Sequence, residues 1–126
     1  MEKETCSTKR APAALGPYSQ AVRAGTLIFL SGQLPIDVET GRLEKGSVAR
    51  QTEMILGTVG NILEDAGSSI DRAVKVTVYM TDLEKFGEMN EVYARFFPVD
   101  PPARSAVGVK SLPKGAAIEI EVVALA

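Results

Sequence analysis

Four short stretches set groups capable of chemistry beside constrained backbone. In Ile118-Glu119-Ile120-Glu121 two carboxylates fall on one face of an extended chain, roughly 6.5–7 Å apart. In a buried cleft one of them can orient water and take its proton, whereas in an open sheet the pair is an ordinary solvated face. In Pro101-Pro102-Ala103-Arg104-Ser105 two prolines stiffen the approach to a strand and set a guanidinium near its beginning. The planar fork of Arg104 suits a carboxylate; the plainer alternative is a solvent-facing arginine at a strand edge. Gly16-Pro17-Tyr18-Ser19-Gln20 fixes a phenol in place just before a strand, or else forms a turn whose tyrosine covers the edge of the core. Ser31-Gly32-Gln33 closes an apolar strand, where glycine admits a ligand close to the backbone and Ser31 can donate or accept, although strands also end at Ser-Gly for ordinary reasons.

Histidine is absent, which removes His-based metal sites, Ser-His-Asp triads and Cys-His dyads together. Proton transfer is left to carboxylates, tyrosine, lysine, the backbone or water. With a single cysteine, Cys6, and acids that lack calcium-loop spacing, no metal site is expected. Cys6 has no disulfide partner within the chain, which fits a reducing, cytoplasmic setting. A net charge of −2 with scattered lysines and arginines argues against nucleic-acid binding by phosphate neutralisation. Paired carboxylates also occur in glycoside hydrolases, but the chain lacks the size and aromatic surface of a sugar groove. No apolar run reaches eighteen residues, so no membrane-spanning helix is expected, and Met1-Glu2-Lys3-Glu4-Thr5-Cys6 lacks the apolar stretch of a secretory signal.

These groups need a scaffold, and 126 residues with 45% apolar and 24% charged content suffice for a single domain spanning 1–126 without disulfide or metal support. Residues 1–10 read as a flexible N-terminal segment. Val48, Ile55, Val59, Ile62 and Ala66 recur at helical spacing between Ser47, a candidate N-cap, and Gly67, a candidate terminator. A second helix is expected over Leu83–Phe97, with Leu83, Phe86, Met89, Tyr93 and Phe96 as its apolar stripe, a Thr81/Glu84 capping box, and Pro98 as its stop. Strands are expected at Ala21–Arg23 and Leu27–Ser31 around the turn Ala24-Gly25. A short ribbon should join Ile36–Val38 to Arg42–Leu43. Further strands are expected at Val74–Met80, with Val74, Val76 and Val78 on one face, at Ser105–Val109 and at Ala117–Leu125. The order is strands, helix, strand, helix, strands, which implies an α+β fold with a mostly antiparallel or mixed sheet.

Two of those strands are apolar on both faces. In the last, Ile118, Ile120 and Val122 oppose Val123 and Leu125, and in the second, Leu27 and Phe29 oppose Ile28 and Leu30. Two helices cover one face of such a sheet, so the other is expected to pack against further copies of the chain.

Taken in order, the motifs resemble the RidA (YjgF-type) family of reactive-intermediate deaminases. The resemblance rests on Ala11-Pro12-Ala13-Ala14-Leu15-Gly16-Pro17-Tyr18-Ser19-Gln20, Ser31-Gly32-Gln33-Leu34-Pro35, Thr77-Val78-Tyr79-Met80-Thr81-Asp82-Leu83, Phe86-Gly87-Glu88-Met89-Asn90-Glu91-Val92-Tyr93, Pro102-Ala103-Arg104-Ser105 and the run from Leu112 to Glu121. It implies a chorismate-mutase-like fold with two helices on one face of the sheet, and a homotrimer with sites in clefts between subunits. The implied activity is hydrolysis, without a cofactor, of 2-imino acids or their enamine tautomers, such as 2-iminobutanoate and 2-iminopropanoate, to 2-oxo acids and ammonia. By the same resemblance Arg104 falls on the arginine that binds the substrate carboxylate, Tyr18 and Glu119 on the site tyrosine and glutamate, and Ser31, Gly32 and Asn90 on lesser substrate positions. Ala106 stands in the pocket wall where many members carry cysteine. Two other functions attach to proteins of this kind: an endoribonuclease or translation-inhibitor activity, and non-catalytic binding of a small ligand by the trimer.

Overall fold

A computed structural model of the chain describes residues 2–126. Its scaffold is one six-stranded sheet in the order β1-β2-β3-β6-β4-β5. The strands are β1 (Lys3–Cys6), β2 (Ala21–Ala24), β3 (Leu27–Leu30), β4 (Ala73–Met80), β5 (Ala103–Gly108) and β6 (Ile118–Leu125). Neighbours run antiparallel except β4 and β5, which are parallel and are joined through a helix, the crossover that parallel pairing requires. The fold is the mixed α+β arrangement expected from the order of elements.

Alternation along the strands decides where the core lies. Ile28 and Leu30, Val76, Val78 and Met80, and Ile118, Ile120, Val122 and Ala124 are all buried on one face. The helices α1 (Val48–Asp65) and α2 (Phe86–Phe96) pack against each other, and α1 lies on β6. From α1 come Ile55, Leu56, Val59, Ile62 and Leu63, and from α2 Met89 and Tyr93. Each of these large side chains contributes about 1.5–3 kcal/mol by leaving water. On the opposite face Phe29 is 44% and Leu125 39% exposed. No helix of the described residues is long and apolar enough to cross a membrane.

The ends of α1 follow the sequence. The Ser47 side chain accepts from the Arg50 amide, and Glu88 of α2 accepts from the Ala49 amide at 3.0 Å, so one helix caps the other. At the far end Gly67 takes φ +86°, and amides of Gly67 and Ser68 bond back to Glu64 and Leu63 in a Schellman arrangement.

Several expectations are corrected. The segment read as flexible carries β1, paired with β2 from Lys3↔Ala24 to Cys6↔Ala21. Its tether is Gln20, 5% exposed, which accepts from the Thr8 amide at 2.7 Å and donates to the carbonyls of Thr8 and Pro12. Thr81 does not cap the second helix: its amide bonds to Ala117 and prolongs the β4–β6 ladder. Asp82 takes the capping role instead, accepting from Glu84, and a single 3₁₀ turn (Leu83–Lys85) precedes α2, leaving Leu83 exposed. Val74 does not join Val76 and Val78, because a bulge between Ala73 and Lys75 turns it outward. The ribbon around Gly41 is reduced to one bridge, Ile36↔Leu43, closed by the Asp37 amide bonding to Arg42.

Removing the Gln20 amide leaves part-buried backbone groups of Thr8 and Pro12 without their partner, which costs about 1 kcal/mol. Gln20→Ala is therefore predicted to lower the unfolding free energy by that amount, read as a lower urea midpoint, and to speed amide exchange in Lys3–Cys6. An unchanged midpoint would contradict the tether.

Candidate active site

Glu119 sits on β6, on the face turned away from the helices, half-buried between core neighbours Ile118 and Ile120. The chain that leaves β3 is drawn across it. Gln33 exchanges two backbone hydrogen bonds with Ile120, at 2.8 and 3.1 Å, which pins the Ser31-Gly32 segment beside the carboxylate. Gly32 leaves room there by contact rather than by dihedral. A β-carbon at this position would lie 2.9 Å from Glu119 Cδ and closer still to Oε2. Ser31 is tied down by its hydroxyl, which donates to the Ser19 carbonyl at 2.6 Å, and by its amide, which bonds to Gln20. That bond joins the β3 exit to the Gly16–Gln20 turn, whose Tyr18 is 54% exposed.

Together Tyr18, Ser31, Gly32 and Glu119 line a cleft of about 600 Å³, with Leu34, Ile36 and Val38 on its apolar side and Lys114 at its rim. Burial raises the Glu119 carboxyl above the usual range, and the nearby negative charge of Glu121 raises it further. Glu121 is itself engaged, accepting a short hydrogen bond from the Tyr79 hydroxyl, and this bond chiefly holds the Tyr79 phenol above its ordinary value. A half-buried carboxyl whose pKa is raised holds and releases a proton more evenly than a free glutamate does.

Arg104 is elsewhere. It pairs with Val76 across the parallel β4–β5 ladder, so its side chain shares the helix face of the sheet, as does Ala106 opposite Val78. Its Nη1 donates to Asn90 Oδ1 at 2.7 Å, and the guanidinium lies over the rings of Phe86 and Tyr93. The structure thus gathers the seven sequence-derived residues into two groups: Tyr18, Ser31, Gly32 and Glu119 in the cleft, and Arg104 and Ala106 under α2 together with Asn90 of that helix. Within one chain the two groups do not meet. Among the described residues no cluster of three or more Cys, Asp or Glu could hold a metal ion.

Three participants escaped the sequence reading. Phe86 and Tyr93 read as core stripe, although their spacing with Asn90 at i, i+4 and i+7 places all three on one helix face. Tyr79 read as one residue of an alternating strand, and its partnership with Glu121 depends on a register that sequence does not display.

The family model described as Endoribonuclease L-PSP matches residues 8–126. The chain belongs to this family, that of the RidA (YjgF-type) proteins. Among its relatives, a RutC family protein of Pyrococcus abyssi is 49% identical over 98% of both chains. A human protein named 2-iminobutanoate/2-iminopropanoate deaminase is 43% identical, covering 98% of this chain and 90% of the relative. A crystal structure from Thermotoga maritima, described as a candidate endoribonuclease, superposes with a TM-score of 0.96 at 47% identity, covering 100% of this chain and 98% of that one. The RidA-family fold therefore carries both groups of site residues on one scaffold.

The contact between Gly32 and Glu119 predicts a sharp effect. Gly32→Ala should fold yet push the carboxylate aside by about an ångström, a misplacement that costs about a hundredfold in turnover. The check is activity of the variant together with a structure locating Glu119. A carboxylate in its original place would refute the contact argument.

Proposed function

We propose that this protein hydrolyses 2-imino acids and their enamine tautomers, with 2-iminobutanoate and 2-iminopropanoate as substrates, to 2-oxo acids and ammonia. We propose further that the site forms where the Arg104 group of one subunit closes over the Glu119 cleft of another in a cytoplasmic homotrimer. The observation that carries this reading is the division of the site residues. A carboxylate anchor on one sheet face and a carboxyl acid-base on the other are complementary halves, and symmetric assembly is the means by which one chain supplies both. The half-exposed Phe29 and Leu125 give the contact its apolar material. The family match and the human relative's name support the class of reaction.

A protonated imine is already electrophilic, so the protein's task is placement. Arg104 holds the carboxylate through two parallel hydrogen bonds. Glu119 orients a water and takes a proton from it as the oxygen adds to the imine carbon, giving a carbinolamine. Glu119 then returns the proton to nitrogen, and as the C–N bond breaks and ammonia leaves, the carboxylate takes the hydroxyl proton, so that the oxygen becomes the carbonyl of the 2-oxo acid; ammonia finally removes that proton as ammonium. The Tyr18 ring walls the cleft and its hydroxyl is available to the substrate. Orientation and a preorganised charge supply most of the benefit.

The test is a coupled assay in which a threonine dehydratase generates 2-iminobutanoate and 2-oxobutanoate formation is followed. The protein should accelerate it, and Arg104→Ala should abolish most of the acceleration in an intact trimer. Loss of one partner of a buried charge pair costs about 2–5 kcal/mol, roughly 30- to several-thousand-fold. Arg104→Lys should recover only part, since a point charge does not reproduce the fork. Full activity in an assembled Arg104→Ala trimer would overturn the anchor. Product binding without turnover would favour a ligand-binding trimer, and RNA cleavage sensitive to Arg104 the endoribonuclease reading.

A second prediction concerns pH. Glu119 must be ionised to take the proton, so turnover should fall as pH drops through its raised pKa. Glu121→Gln removes the second cause of that elevation, so the acid limb should move to lower pH. A limb that stays put would show that Glu119 titration does not govern the rate.

A further inference from the structure

A long arginine stem has many rotamers, and an anchor that swings among them wastes orientation. Arg104 is met by three residues of α2 on one helix face. The Phe86 ring centroid lies 5.3 Å from its guanidinium carbon, the Tyr93 centroid 4.6 Å, and Asn90 Oδ1 accepts from Nη1 at 2.7 Å. Both rings fall within the reach of a cation–π interaction, about 6 Å. Tyr93 is itself immobilised: it is 5% exposed and packs on Phe97 with ring centroids 4.6 Å apart. Its hydroxyl is buried and bonds to none of the described residues, so what Tyr93 brings to Arg104 is the face of its ring.

We propose that Phe86 and Tyr93 are positioning residues for Arg104: two aromatic faces on α2 hold the guanidinium so that the N–H groups not bonded to Asn90 stay aligned for a ligand carboxylate. The identity of that carboxylate rests on the imine-deaminase reading above; the clamp itself rests on the geometry of a single chain. The consequence is specific. Loss of a ring should loosen the anchor and weaken ground-state and transition-state binding together, a rise in KM with little change in kcat.

The experiment combines a functional and a spectroscopic readout on the assembled protein. KM and kcat for 2-iminobutanoate are measured with 2-oxobutanoate affinity, and the Arg104 side-chain N–H resonance is followed in ¹⁵N-labelled protein. Phe86→Leu and Tyr93→Leu are expected to raise both KM and the product Kd by about three- to thirtyfold. In the same variants the Arg104 resonance, displaced by the two ring currents, should move toward that of a free arginine. Tyr93→Phe keeps the ring and should recover the affinity that Tyr93→Leu loses. If Tyr93→Leu fails to assemble, Phe86→Leu, at a half-buried position, decides the matter. Wild-type KM, product affinity and Arg104 resonance in assembled Phe86→Leu would overturn the clamp, as would a fall confined to kcat. Absence of turnover in the wild-type protein would sink the deaminase reading while leaving the resonance to decide the clamp.

Discussion

Period-two alternation governs this molecule. Because β6 turns Ile118, Ile120 and Val122 into the core, it must turn Glu119 and Glu121 to the other side, and because β5 aligns Arg104 with Val76, it must send the guanidinium under α2. Neither assignment is free to change, since a slip of one residue would exchange a buried isoleucine for a glutamate along the whole strand. The chemistry is therefore divided by the same rule that builds the hydrophobic core.

Each half is then made rigid by different means. The carboxylate half depends on backbone: a two-bond bridge from Gln33 to Ile120, a missing side chain at Gly32, and a hydroxyl bond from Ser31 to Ser19. The guanidinium half depends on side chains from a helix that is fixed by its own burial through Met89, Val92 and Tyr93. In the first arrangement a side chain at Gly32 would displace the carboxylate, whereas the second is tunable through the rings that surround Arg104.

Much of this was legible in the sequence. The periodicity of Ile55, Val59 and Ile62 gives α1, Ser47 and Gly67 give its ends, and the alternation of β6 gives both its core residues and its paired acids. What escaped depends on register and on competition between neighbours. Thr81 had the right spacing to cap the second helix, but its amide is committed to Ala117, and Asp82 caps the 3₁₀ turn that leads into α2. Val74 had the right parity for the core, but a bulge displaced it. The N-terminal strand was missed because Lys3, Glu4 and Thr5 have no apolar alternation, and its place is secured by Gln20 from outside the segment. The site residues were found individually by type and motif, while their separation into two groups required knowing that β5 runs parallel to β4 on the far side from β6.

The partner chosen for Arg104 sets how much of its charge stays uncommitted. Asn90 orients the guanidinium with a dipole, not a charge, and among the described residues Arg104 joins no ion pair. An aspartate in that place would have neutralised the cation, and an incoming carboxylate would then have had to compete with it. The amide leaves the whole positive charge available at one point on a molecule whose total is −2. A small carboxylate feels mainly that local cation, because screening confines the rest of the field to about 8–10 Å. With a neutral partner, Arg104 remains a cation that no carboxylate among the described residues neutralises.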